Sequence, residues 1–360
     1  MEENVDMIAN GQGNGNVANL LLNGGRLDPG SLRPYIGKDG RAYMTTFSGG
    51  DPKNPANYKA QLVTNATLRR DEWKQLDEAV VGIAETRLNG IQDLISRGLV
   101  YNLGNAMGTT VLEWHDISDA LEAEMTMDGV TRSKGDRPVY GTKYLPIPII
   151  HVDYEINARV LAASRNLGNP LDTTTAERAA RKVAEKLEKM LFTDTDYAFG
   201  GGTIYSYLNY PNRNLLNITA DWASAATGAQ IVEDVRRLKQ ESIDNLHYGP
   251  WVLYIPVGYE TKMDMDYDSN KTGTIRERIL KIGGITDIKV VDTLTAGNVL
   301  LVQMTPDVVR LVRGMGIQNV EWGVEGNFIT KYKVLTIQVP QIRSDQNNKC
   351  GITHMAAGLV

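Results

Sequence analysis

Tyr144-Leu145-Pro146-Ile147-Pro148-Ile149-Ile150-His151-Val152-Asp153-Tyr154-Glu155-Ile156 is the stretch on which the fold turns. It joins two kinds of sequence. Upstream, residues 111–150 alternate in a strand-like way around Asp128-Gly129, a dipeptide that favours tight hairpin turns. Downstream, residues 172–192 carry a helical stripe of Ala176, Ala180, Val183, Leu187 and Met190, at steps of four and three. Thr174-x-x-Glu177 predicts a capping box at the helix start. Glu177–Arg181 and Glu185–Lys189 are spaced as i,i+4 pairs on the polar face. A helix of this length is a rod of about 30 Å.

The hairpin segregates its charge. The first limb carries Asp116, Asp119, Glu122, Glu124 and Asp128; the second carries Arg132, Lys134, Arg137 and Lys143. With few apolar residues it has little core of its own, which predicts a projection from the body. Glu122, Glu124, Asp128, Arg132, Lys134 and Arg137 are the candidate inter-subunit contacts. A solvated surface hairpin explains the same charges.

Working toward the N-terminus, residues 67–97 predict a helix, with Trp73, Leu76, Val80, Ile83, Leu88, Ile91 and Leu94 at spacings of three to five. Gly82 and Gly90 mark a bend or break, and Ser96-Arg97-Gly98 a stop. Residues 1–60 are rich in Gly, Asn and Pro, a composition that cannot bury a core of its own. They read as a disordered tail or as an arm ordered on a neighbour, with Leu20-Leu21-Leu22 as an anchor. Fully extended, such an arm reaches on the order of 200 Å.

Toward the C-terminus the pattern becomes α/β. A helix is predicted from Gly228 to Leu246, capped by Thr227 and stopped at Gly249-Pro250. Trp251-Val252-Leu253-Tyr254-Ile255 is a continuous apolar run and reads as a buried strand. Thr274-x-x-Glu277 opens another helix, closed by Gly283-Gly284. Strands follow at Ile288–Val291, Val299–Met304 and Val308–Val312. Tyr332–Ile342 alternates, with Leu335, Ile337 and Val339 on one face and Thr336 and Gln338 on the other.

The chain has 360 residues, 42% hydrophobic and 22% charged, with net charge -5 and a single cysteine. That length allows two or three domains. The acidic balance argues against a dedicated nucleic-acid binder, though not against a protein that surrounds DNA. One cysteine excludes an intramolecular disulfide and fits a reducing cytoplasm. No apolar run has the length of a membrane span, and Met1-Glu2-Glu3-Asn4 lacks a signal-peptide start.

The sequence carries few groupings suited to chemistry. His115, His151, His247 and His354 form no ligand pattern, and Cys350 has no C-x-x-C partner. Gly11-Gln12-Gly13-Asn14-Gly15 lacks the strand–helix context of a dinucleotide site. Asp264 to Asn270 imitates the start of a calcium loop, but Ser269 stands where glycine is expected and Ile275 where a bidentate Glu is needed. No catalytic residue, cofactor or metal is expected. A hydrolase using Cys350 or the Asp264–Asp268 cluster is the weakest of the functional alternatives.

Residues 144–156 resemble the segment that leaves the extended loop in encapsulin-like major capsid proteins of tailed phages. Arg159, Ser164-Arg165 and Leu171-Asp172-Thr173-Thr174 follow in the family's order, and the helix after them is similar to the spine helix of the Hong Kong 97-type fold. Tyr248-Gly249-Pro250-Trp251-Val252-Leu253-Tyr254-Ile255-Pro256 with Tyr259, Val302-Gln303-Met304-Thr305-Pro306-Asp307-Val308-Val309 and Val339-Pro340-Gln341-Ile342 also fit. The likeness covers about residues 100–345 and rests on segment order.

The resemblance implies an α+β fold: an N-terminal arm at 1–60, a helical segment of the peripheral domain at 61–111, an extended β-hairpin loop at 112–146, and a peripheral domain with the spine helix at 147–204. An α/β axial domain at 205–325 and peripheral C-terminal strands at 326–360 complete it. It implies a structural role without catalysis: pentamers and hexamers of this chain forming an icosahedral head around double-stranded DNA. Portal and scaffolding or decoration proteins would be partners, DNA a non-specific neighbour, and the membrane no partner. The chain would be made in the bacterial cytoplasm and reside in the virion. No scaffold-like extension precedes the arm, so scaffolding would be a separate protein or absent. In one such phage a loop Lys is joined to an Asn of a neighbour; Lys134, Lys143, Asn347 and Asn348 are the candidates here, without a motif to support them, and non-covalent assembly is expected. The alternative is an encapsulin, a nanocompartment shell loading enzyme cargo. The Gly/Asn-rich arm favours the phage version over the short amphipathic helix usual in encapsulins.

Overall fold

The computed structural model describes residues 32–47, 54–63, 66–87, 89–117, 127, 140–167, 173–193, 197–268, 271–325, 328–345 and 347–359. Strands β1 (Tyr35–Ile36), β2 (Ala42–Phe47) and β3 (Tyr58–Leu62) come first. Helices α1 (Arg70–Arg87) and α2 (Asn89–Ser96), strand β4 (Val100–Asn102), and the paired β5 (Val111–Ile117) and β6 (Tyr140–Pro146) follow. Strand β7 (Ile150–Asn157) leads through α3 (Ala158–Leu167) to the long α4 (Thr174–Phe192). Short β8 (Ala198–Phe199) and β9 (Gly202–Thr203) precede β10 (Asn214–Asn217), α5 (Gly228–Asp244), β11 (Trp251–Pro256) and α6 (Glu260–Met263). Then come β12 (Asp266–Asp268), β13 (Lys271–Thr274), α7 (Ile275–Leu280), β14 (Ile285–Val291) and β15 (Val299–Gln303). The chain closes with β16 (Val309–Glu325), β17 (Ile329–Ile342) and β18 (Ile352–Ala356).

Two sheets organise the body. One has the order β4-β16-β17-β7, with β4 parallel to β16 and the other pairs antiparallel. Helix α4 lies across β7 and β17, with α1 beside it. Its predicted stripe of Ala176, Ala180, Val183, Leu187 and Met190 is buried, and Ala179, Ala184, Leu191 and Phe192 widen it. The other sheet has the order β10-β18-β15-β11-β14.

The second sheet explains the run Trp251–Ile255. Val252 and Tyr254 face the core shared with α4, while Trp251, Leu253 and Ile255 face a second core with α5 and α7. Strand β15 divides likewise, with Leu300 and Val302 on one side and Val299 and Leu301 on the other. A strand covered on both faces has no position for a polar side chain, hence the continuous apolar sequence.

Residues 67–97 divide into two helices at the break expected near Gly90: α2 begins at Asn89 hard against the end of α4, and a Cβ on Gly90 would lie 2.3 Å from the Phe192 ring. Other local expectations change. The capping box at Thr174 does not form; Thr173 is the N-cap residue, and its hydroxyl donates to the Glu177 carboxylate at 2.6 Å instead of capping the backbone. On α4, Glu185 pairs with Lys182 at 2.8 Å and with Arg181 at 4.0 Å. Both faces of β17 are buried at Thr336 and Gln338, with the Thr336 hydroxyl donating to the Met315 carbonyl at 2.9 Å. Within the stretch predicted to lack its own core, β1, β2 and β3 form a three-stranded sheet that buries Tyr35 and Met44.

Candidate assembly surfaces

The hairpin stem is a two-stranded ladder running from Val111↔Pro146 to Ile117↔Tyr140. Its root is seated on β9. A Cβ on Gly202 would stand 2.3 Å from the Tyr144 carbonyl oxygen, so only glycine permits the contact. Gly200 and Gly201 turn the chain there at φ 59° and 80°, a region that favours glycine. Trp114, Tyr144, Tyr205, Tyr210 and Pro340 surround a cavity of about 370 Å³ beside this root. Lys143 and Asn348, two of the candidate cross-linking residues, line the same cavity within one subunit.

The hairpin contacts predicted from sequence, Glu122, Glu124, Asp128, Arg132, Lys134 and Arg137, lie outside the described residues. The stem beneath them is described, and its position at the edge of the body follows from the Gly200–Gly202 seat.

A buried polar joint links α4, α2 and the second sheet, and sequence reasoning missed it. Glu188, on the buried face of α4, accepts hydrogen bonds from the backbone N–H groups of Gly90 at 2.7 Å and Ile91 at 3.4 Å. It thereby caps the start of α2 from another helix. Burial pushes its carboxyl up to about 7 despite those two donors. One turn along α2, Asp93 accepts from the Tyr254 hydroxyl and from Arg97 Nε, each at 2.8 Å. Arg97 also reaches the Thr286 hydroxyl at 3.3 Å. The only sequence signal was Glu188 falling beside Leu187 on the apolar stripe. Glu321 is a second buried carboxyl, pushed up to about 7 by burial and accepting from the Thr67 hydroxyl at 3.1 Å.

The remaining candidates occupy structural settings. Cys350 is fully buried, its thiol is pushed up to about 12 by burial, and it donates to the Arg343 carbonyl at 3.7 Å. A protonated thiol is a poor nucleophile. His354 sits in β18 with Nδ1 accepting from Arg213 Nε at 3.3 Å and Nε2 against Asn298 Oδ1 at 2.7 Å. Burial, then the Arg213 charge, pulls it down to about 4. In the acidic stretch, Arg276 binds Asp264 at 3.0 Å and Glu260 at 2.7 Å. Ser269 and Asn270 lie outside the described residues. Among the described residues no group of three or more His, Cys, Asp or Glu side chains is placed to hold a metal ion.

Comparisons with known proteins agree with this architecture. The virus-like particle protein of Pyrococcus furiosus superposes with a TM-score of 0.58 at 17% identity, covering 79% of this chain and 98% of that one. The capsid protein of the myovirus XM1 superposes with a TM-score of 0.57 at 10% identity, covering 75% and 92%. In sequence, the type 1 encapsulin shell protein EncA of Myxococcus xanthus is 27% identical over 215 residues, 58% of this chain and 67% of that protein. The two-sheet body with its long helix and two-stranded hairpin stem is therefore an α+β subunit of the Hong Kong 97 type, the fold of encapsulins and phage capsids. The chain belongs to the family of unknown function DUF6260, whose pattern matches residues 61–355.

Proposed function

We propose that this protein is a structural shell subunit without catalytic activity, assembling with copies of itself as pentamers and hexamers into a closed icosahedral particle. The observation that carries this is the combination of the Hong Kong 97-type body with a hairpin stem that has no third strand among the described residues. In this assignment residues 112–146 reach over a neighbour, 147–204 and 326–360 form the peripheral domain with the spine helix, and 205–325 form the axial domain.

The first reading is the head of a tailed phage enclosing double-stranded DNA, with portal and scaffolding or decoration proteins as partners. The Gly/Asn-rich residues 1–60 support it. The second is an encapsulin with protein cargo, favoured by the 27% identity to EncA. Nuclease treatment of purified particles followed by extraction separates them. Protected double-stranded DNA supports the phage head; particles containing a second protein and no nucleic acid support the encapsulin.

Glu122, Glu124, Asp128, Arg132, Lys134 and Arg137 would act as an electrostatic clasp between subunits. Reversing Glu122, Glu124 and Asp128 to Lys is expected to leave a folded subunit that assembles poorly, with the defect growing as salt is lowered. Normal particle yield at physiological salt would remove the clasp.

A further inference from the structure

The first sheet carries, near its β4 edge, two arginines that no carboxylate answers. Arg310 lies at the start of β16, directly opposite Gln341 of β17. Arg343 follows two residues after Gln341, and its backbone N–H donates to the Val308 carbonyl at 2.8 Å, so the two chains still run side by side there. Residues two apart on a strand share a face, as do residues directly opposite each other. Arg310, Gln341 and Arg343 therefore project on one side of the sheet. On the neighbouring β4, Tyr101 lies under the Arg310 guanidinium, 4.4 Å from ring centroid to the charged carbon. Tyr101 is exposed and both arginines are half-buried, so this recess opens to solvent.

Three donors in the recess lack an acceptor or a counter-charge. Gln341 is wholly buried, and its side-chain oxygen accepts from Arg310 Nε. An arginine can only donate, which fixes the amide with its oxygen toward Arg310 and Nε2 turned away. That Nε2 has no acceptor among the described residues. The Arg343 guanidinium has no hydrogen-bond or ion-pair partner among them either. Asp345, the carboxylate nearest to Arg343 along the chain, takes the backbone N–H of Lys349 at 2.7 Å instead. Burial, then the neighbouring Arg343 charge, pulls Arg310 below its ordinary range. An arginine does not relieve such a conflict by giving up its proton.

An oxyanion satisfies all three groups at once, because guanidinium forks and an amide N–H all present donors to oxygen. Charge selects among oxyanions. The two arginines carry two positive charges. A carboxylate or a phosphodiester brings one negative charge, whereas a phosphate monoester or free phosphate brings nearly two at neutral pH. We propose that Arg310, Arg343 and the Gln341 amide bind a doubly charged phosphate group at the edge of the first sheet. The inference stands apart from the shell reading and does not depend on it.

Titrating the full-length protein with inorganic phosphate at constant ionic strength, by calorimetry, tests it. Saturable binding at one site per chain is expected, with a melting temperature that rises along the same curve. Arg343→Gln should melt no lower than wild type without phosphate, since a like charge beside Arg310 is gone. With phosphate it should bind about tenfold more weakly or worse and lose the rise, and Arg343→Lys should recover part of the affinity. Glycerol 3-phosphate in a parallel titration separates the two sources of the group: tighter binding than inorganic phosphate assigns a monoester, and equal or weaker binding the free ion. No saturable phosphate binding by the wild type would overturn the inference, as would equal affinity in wild type and Arg343→Gln. Tighter binding of acetate, or of oligothymidylate without terminal phosphates, would overturn it too, by assigning the recess to a carboxylate or to a nucleic-acid backbone.

Discussion

Replacing Glu188 by Gln should change how stability depends on pH, and the structure sets the size of the change. Glu188 is 3% exposed and holds two backbone N–H groups of α2. Burial raises its carboxyl from 4.5 to about 7, with Asp292 adding a smaller push in the same direction. Between those values the folded subunit holds a proton that the unfolded chain has released. Stability is therefore fully present below about pH 4.5 and is lost as pH rises through about 7. At about 1.4 kcal/mol per pKa unit the loss is up to about 3 kcal/mol. Glutamine keeps the acceptor for Gly90 and has no proton to lose, although its amide N–H groups need a partner and cost about 1 kcal/mol if unpaired. The stability of Glu188→Gln relative to wild type should climb by roughly 2–3 kcal/mol between pH 5 and pH 8. Glu321 titrates in the same window in both proteins and cancels from the difference. Urea unfolding of dissociated subunits at several pH values, followed by tryptophan fluorescence, measures this. Two stability curves that stay parallel from pH 5 to pH 8 would refute the buried-carboxyl account of the joint.

Other perturbations bear on the core, the hairpin seat and a helix cap. Leu187→Ala should cost about 2–5 kcal/mol by equilibrium unfolding, because Leu187 is wholly buried beneath the first sheet. Gly202→Ala should loosen the hairpin root, since its methyl meets the Tyr144 carbonyl; faster proteolysis within residues 111–146 with little change in global melting is the expected result. Thr227→Ala removes a capping box closed by Gln230 and should cost about 1 kcal/mol, read as a lower urea midpoint at unchanged slope.

The parts of the fold legible in sequence are those with one dominant periodicity. The α4 stripe, the Thr227 cap and the run at Trp251–Ile255 each obey a single local rule, and the structure keeps them. Strand β16 was legible only at its start. Register shifts between Arg313 and Met315, Met315 and Gln318, and Glu321 and Gly323 break the alternation that would have extended it to Glu325. Strand β18 lies between β10 and β15, a position set by tertiary pairing that no local pattern specifies. Gly200-Gly201-Gly202 works as a seat that no local rule foretells, because the carbonyl that Gly202 accommodates belongs to Tyr144, far away along the chain. Glu188 was illegible for a related reason: the helix start it caps belongs to α2, about a hundred residues earlier (97–98 positions).

The central claim is that this chain closes into shells. Electron microscopy of the purified full-length protein, with sedimentation velocity on the same sample, tests it most directly. The account predicts hollow or filled isometric particles of uniform diameter, sedimenting as a single species far larger than the 39.7 kDa chain. A protein that remains monomeric or forms only small oligomers at micromolar concentration, across salt and pH, would contradict it.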